Sequence, residues 1–299
     1  MNPHLSLNPA TDLHQLLVYP FMVNALEAGT IVAVMASVAG WFMVLRRETF
    51  AGHTLSVMSF PGASAAALAG LALSTGYFFF CVVGALVIAA SSRTAGRRNF
   101  SQESAVIGSV QAGALALGFL FLSLYGGVLE DLESLLFGSF LGITTVQVRT
   151  LAAITIGVLV FFAIAGRPLL FSSVDEPTAS VRGVPVRFLH VAFLVVLGLA
   201  VAATAQITGV LLVFALLVAP AAAAQQLTAR IPLSLALTLL FALAIIWIGL
   251  TLAYFGNYSL GFYVSTIAFA LYVICRGGRA VVKRLGRRAA RPTTATATA

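Results

Sequence analysis

Two ionisable side chains sit inside stretches otherwise too apolar to hold them. Glu27 falls in the run 20–45 and His53 in the run 50–73. Ionisable groups within such runs are costly, and they usually serve a function. If 50–73 is helical, Thr49, His53, Ser56 and Phe60 come round on one face. That places an imidazole between two hydroxyls. Neutral imidazole suits zinc, copper, nickel or iron better than a hard ion such as calcium. The alternative for His53 is a packed, hydrogen-bonded core histidine. For Glu27, pathway lining and packing stay equally open. Met58 turns away from His53 and is read as packing, and His4, His14 and His190 lie near the ends of apolar runs and are read as incidental.

A single Glu27–His53 site is disfavoured by depth. Each lies about six residues inside opposite ends of its helix, or about 9 Å deep at roughly 1.5 Å per residue, in a hydrocarbon core of about 30 Å. About 12 Å of depth then separates them, so successive stations for a cation fit better than one shared site.

The elements that carry these residues follow from composition. Of 299 residues, 60% are hydrophobic and 9% charged, where a soluble domain carries about 25% charged residues. One soluble core could not cover that much apolar surface; a bilayer can. Apolar segments near 20–45, 50–73, 77–92, 104–124, 148–166, 188–205, 207–225, 232–254 and 260–275 predict an all-α, polytopic bundle of nine spans, with the shorter stretch 135–143 re-entrant or interfacial. Gly62, Ala66 and Gly70, at four-residue spacing, suggest close helix packing. Cys81 and Cys275 lie far apart in apolar runs and read as packing residues.

The net charge of +8 does not signal nucleic acid, because of where the charge sits. Seven of the 17 basic residues fall in the tail 276–299, and the rest, Arg149 excepted, fall in gaps that nine crossings place on one side. That is the positive-inside pattern. It predicts an extracytoplasmic segment 1–19, a transmembrane domain 20–275 and a basic, disordered cytoplasmic tail 276–299 that can touch anionic lipid. The absence of Lys and Arg before residue 20 predicts no cleaved leader. Glu130, Asp131 and Glu133 cluster in an outer loop, either as ordinary solvated charge or as an acidic mouth that concentrates cations.

GxxxxGK followed by Ser or Thr is missing, as are GxSxG and HExxH. The expectation is a chain without enzymatic activity or cofactor of its own, so any drive from ATP comes from a partner. The most polar internal gap, SSVDEPTASVRGVPVR over 172–187, sits on the cytoplasmic side. Asp175 and Glu176 beside Pro177 suit a helix start, and Gly183 and Pro185 its end. The residues alone leave it either an ordinary loop or a short helix fit to dock a partner.

Here the chain resembles the membrane subunits of metal-ion ABC transporters. Asp175, Glu176, Pro177, Ala179, Gly183 and Pro185 are similar to that family's coupling helix, with the acid and proline order changed. FMVLRRETFAGHTLSVMSFPG over 42–62, GVLLVFALLVAPAAA over 209–223 and GLTLAYFGNYSLG over 249–261 resemble further family stretches, although Ser259 stands where proline is usual. The resemblance implies a homodimeric permease in a bacterial cytoplasmic membrane, docked on an ATPase and supplied by an extracytoplasmic metal-binding protein. Its substrate would be zinc, manganese or iron. Where the family carries Asp and then His one turn later, this chain has His53 and Val57. A chelate-carrying ABC permease and an ATP-independent carrier are the rival readings.

Overall fold

The structure is a computed structural model, and it describes residues 18–94, 100–126, 142–210, 212–256 and 258–289. Among the described residues the chain is helical throughout: α1 Pro20–Leu45, α2 Thr49–Leu68, α3 Leu73–Thr94, α4 Phe100–Tyr125, α5 Thr145–Val174, α6 Glu176–Val181, α7 Val186–Thr208, α8 Val213–Leu227, α9 Ile231–Phe255 and α10 Leu260–Ala289. Helices are the form that satisfies backbone donors and acceptors without water.

The expected order of long helices is present, but nine spans is too coarse a description. Among the described residues seven helices are long and apolar enough to cross a membrane, and α2 and α8 are not among them. The 20 residues of α2 include Thr49, His53, Thr54, Ser56, Ser59 and Ser64, and most of the helix is buried. The 15 residues of α8 are short of a crossing. α2 packs on α3, α4 and α7, while α1 touches α5, α7, α8 and α9. α2, rich in hydroxyl side chains, is therefore screened by its neighbours.

Several boundaries move for local reasons. α2 stops at Leu68 rather than running to 73, because Gly70 adopts the left-handed φ of 67° that glycine tolerates. Gly70 belongs to that turn and not to the packing stripe. Gly62 does pack: a Cβ there would meet the carbonyl of Gly76 on α3. α5 extends through Arg167 and Pro168 to Val174. α10 continues to Ala289, so the first part of the tail expected to be disordered is helical. Its Ala, Arg and Lys residues favour helix, and extending an existing helix is far easier than nucleating one. Most of 135–143 lies outside the described residues, as do residues 1–17 and 290–299.

Buried polar groups tie the helices to one another. Trp41 Nε1 on α1 donates to Ser234 Oγ on α9 at 2.9 Å, and Gln225 Nε2 on α8 donates to the Trp41 carbonyl at 3.1 Å. Asn24 Nδ2 on α1 donates to the Ile143 carbonyl just ahead of α5 at 3.1 Å.

Candidate functional site

His53 stands in the second turn of α2, where its half-buried ring meets Phe214 of α8 edge to face at 5.0 Å between centroids. Its Nδ1 is buried and has no hydrogen-bond partner. Buried polar atoms are normally paired, so the orphaned nitrogen leaves one lone pair or one N–H without an internal use.

The neighbours expected on the same face divide. Thr49 is half-buried like His53, whereas Ser56 is 1% exposed and donates to the His53 carbonyl at 2.7 Å. Ser56 thus braces the turn carrying the imidazole. Phe60 packs edge to face on Phe119 of α4 at 5.2 Å. Val57 is packed at 7% exposure and supplies no second ligand. The thiol of Cys81 lies within 3.1 Å of Ser59 Oγ and 3.4 Å of the Leu55 carbonyl, so it is engaged by α2 itself. No group of three His, Cys, Asp or Glu side chains able to hold a metal occurs among the described residues.

Glu27 is exposed on α1, on the stripe that also carries Asn24. No hydrogen bond, ion pair or ring contact among the described residues joins it to His53. Glu130, Asp131 and Glu133 lie outside the described residues.

The 172–187 gap contains a helix of one and a half turns. Asp175 is its N-cap: its side chain accepts from the Thr178 amide at 3.1 Å, and bonds from the Thr178 hydroxyl and amide hold its carboxyl below the ordinary carboxylate value. Glu176 supplies negative charge in the first turn, and Pro177 follows it. Ala179 is fully buried against the bundle, and the helix ends where Gly183 takes a φ of 81°. The motif was legible because each signal acts locally.

One cluster went unread. Arg46 Nε donates to Glu48 Oε1 at 3.1 Å, Arg46 Nη1 donates to Ser173 Oγ at 3.2 Å, and Arg46 Nη2 lies 3.4 Å from His190 Nδ1. His190, taken as incidental from its position near the end of an apolar run, also stands 3.3 Å from Glu48 Oε1. Burial alone would raise the Glu48 carboxyl, but His190 and Arg46 beside it hold it below its ordinary value. The signal available in the sequence was an acid following two arginines in a stretch with no other acid nearby.

The family described as ABC 3 transport family matches residues 18–276. The chain is 29% identical over 260 residues to the manganese transport system membrane protein MntC of Halalkalibacterium halodurans, covering 87% of this chain and 88% of that one. It is 29% identical to a probable iron transport system membrane protein of Haemophilus influenzae, over 86% and 93% of the two chains. Among solved structures it resembles PsaBC from Streptococcus pneumoniae in complex with Fab, with a TM-score of 0.80, 25% identity, and coverage of 92% of this chain and 99% of that one.

Proposed function

This chain belongs to the ABC 3 transport family, and we propose that it passes a divalent first-row metal ion, of the manganese, iron or zinc class, through a pathway that His53 lines. The unpartnered, buried Nδ1 of His53 carries this reading. A neutral imidazole nitrogen is a borderline donor that such ions accept. Relatives named for manganese and iron transport support the same class of substrate.

One His53 cannot complete a coordination shell. Pairing two copies of the chain would bring a second imidazole to the same pathway, with Thr49 as an oxygen neighbour, and membership of the family supports such a pair. Glu27 fits an earlier station on the outer side: a carboxylate facing lipid is unfavourable, so its exposure favours an aqueous path or a second copy against it. The acidic loop with Glu130, Asp131 and Glu133 fits the entrance. α6 is the surface on which a separate ATPase would push, with Asp175 and Glu176 starting it, Ala179 seating it and Gly183 ending it. An extracytoplasmic metal-binding protein would deliver the ion. In this arrangement α2 and the shorter α8, shielded by the seven apolar helices, bring the membrane-embedded helices to nine. The chain lies in the cytoplasmic membrane, with its first residues outside and α10 ending inside. Family membership sets aside the ATP-independent carrier.

The test is ATP-driven uptake of manganese, ferrous iron, zinc and cobalt into proteoliposomes holding the permease with its ATPase. Uptake of one or more free ions, competed by the others, is expected. Uptake only of a chelated ion would instead support the chelate reading, which the solitary ligand favours.

A further inference from the structure

We propose that Arg46 is a positioning residue for transport, a joint that links both flanks of α6 to the first turn of the His53 helix, so that movement at the ATPase face reaches the pathway. The proposal rests on the reading of α6 as the ATPase contact.

The geometry of one guanidinium carries it. Its three nitrogens reach three elements: Glu48 immediately before α2, Ser173 near the end of α5 and His190 on α7. Its face also lies 5.0 Å from the centre of the Phe193 ring on α7. The side chain is 8% exposed, so water does little to weaken these contacts. Ser173 stands two residues before Asp175, the N-cap of α6, and His190 lies in the first turns of the helix that follows α6. Arg46 therefore touches the chain on both sides of α6. Ser173 donates its own hydroxyl proton to the Leu169 carbonyl, which leaves its oxygen free to accept from Arg46.

On the pathway side the connection is equally short. Glu48 occupies the N-cap position of α2, yet its side chain makes no capping bond and turns to Arg46 instead. Its carbonyl accepts from the Gly52 amide at 3.0 Å, and its amide donates to the Met43 carbonyl at 3.0 Å. A shift of this carboxylate thus carries the first turn of α2, and His53 follows one residue after Gly52. The turn itself is constrained, because Arg47 holds a left-handed φ of 60°, a conformation that a residue with a side chain adopts only under strain.

The cluster also has two arrangements built into one atom. His190 Nδ1 lies 3.4 Å from Arg46 Nη2 and 3.3 Å from Glu48 Oε1. A ring nitrogen either accepts from arginine or donates to carboxylate; it cannot do both. Glu48 Oε2 is buried without a partner, and the cluster, together with Arg47 and Ser104, borders a cavity of about 90 Å³ that gives these side chains room to rearrange. Discrete alternative pairings are what a coupling element needs. Lysine could keep the charge but not the fork that grips three elements at once.

The experiment measures manganese moved per ATP hydrolysed by the permease–ATPase complex in proteoliposomes, together with amide hydrogen exchange. Arg46→Lys is expected to lower manganese per ATP at least fivefold and to speed exchange in both α6 and the first turns of α2. A ratio within twofold of wild type, or faster exchange confined to one of the two segments, overturns the proposal. Should Arg46→Lys not accumulate, Ser173→Ala, which removes only one hydroxyl, decides: a twofold or greater fall in the ratio supports the joint, and an unchanged ratio overturns it. A wild-type complex that moves no manganese counts against the substrate reading, and the joint is then judged on the exchange arm alone.

Discussion

His53 and Arg46 lie seven residues apart in the sequence, and their surroundings follow opposite rules. Around Arg46 the guanidinium nitrogens meet an acid, a hydroxyl and an imidazole, and its face meets a ring. Around His53 the ring meets an aromatic edge and its Nδ1 meets nothing. A protein that paired every buried donor would gain stability in both places. The difference sets a knot of paired groups at the α1–α2 connection against an unpartnered nitrogen in the second turn of α2. That division suits a substrate that must be bound and then released.

Removing the imidazole should give the largest effect. With Val57 unable to substitute, His53→Ala should cut metal uptake per folded transporter at least tenfold. His53→Asp should retain some uptake and move preference toward harder ions such as manganese. Uptake of several metals per folded transporter reads both. Equal preference in wild type and His53→Asp, with near-normal rates in His53→Ala, would collapse the contrast and leave Glu27 as the next pathway candidate.

A several-fold effect is expected at α6. Gly183→Val places a branched residue at a φ of 81°, which side chains adopt only under strain. Reversal of charge at Asp175 and Glu176 removes the N-cap and opposes the helix dipole. Either change should leave ATP hydrolysis running with less metal moved per ATP while the chain still inserts. Unchanged hydrolysis and uptake in both variants would remove α6 from the coupling path.

The smallest effect concerns acid. Neighbouring His190 and Arg46 hold the Glu48 carboxyl below its ordinary value although burial opposes them. A carboxyl depressed in the folded state contributes stability that is complete above its unfolded value, about pH 4.3, and is lost as pH falls through the folded value. The detergent-solubilised protein should therefore lose melting temperature on acidification below about pH 4.5, and Glu48→Gln should flatten that slope. An identical slope in the variant would mean that the carboxylate adds nothing to the joint.

What could be read from the sequence was whatever acts within a few residues. Long apolar runs gave the helices and their order, and Asp175, Pro177 and Gly183 outlined α6 because capping, proline placement and a left-handed stop are local matters. The joint could not be read that way. Arg46 lies 127 residues from Ser173 and 144 from His190, and helix periodicity gives a residue's face without saying which helix meets it. The same gap explains why Ser56 looked like a pathway hydroxyl: its face was right, but its burial and its bond to the His53 carbonyl depend on how α2 is packed. Gly70 looked like part of a packing stripe, but α2 ends at Leu68, five residues short of 73, which leaves Gly70 in a turn.

The length of α10 has a practical use. Its 30 residues span about 45 Å, some 15 Å more than the hydrocarbon core of about 30 Å requires. About two thirds of the way along α10, Arg279 bonds to Gln226 just inside the end of α8 at 2.9 Å, which clamps the base of the overhang. A fluorophore attached near residue 289 would thus sit on a stiff post instead of a tether, and a flexible chain of the same reach would blur its position by roughly 20 Å. Energy transfer from that post to a label on the ATPase would report the angle between the two subunits directly, turning the end of this helix into a built-in goniometer for the transport cycle.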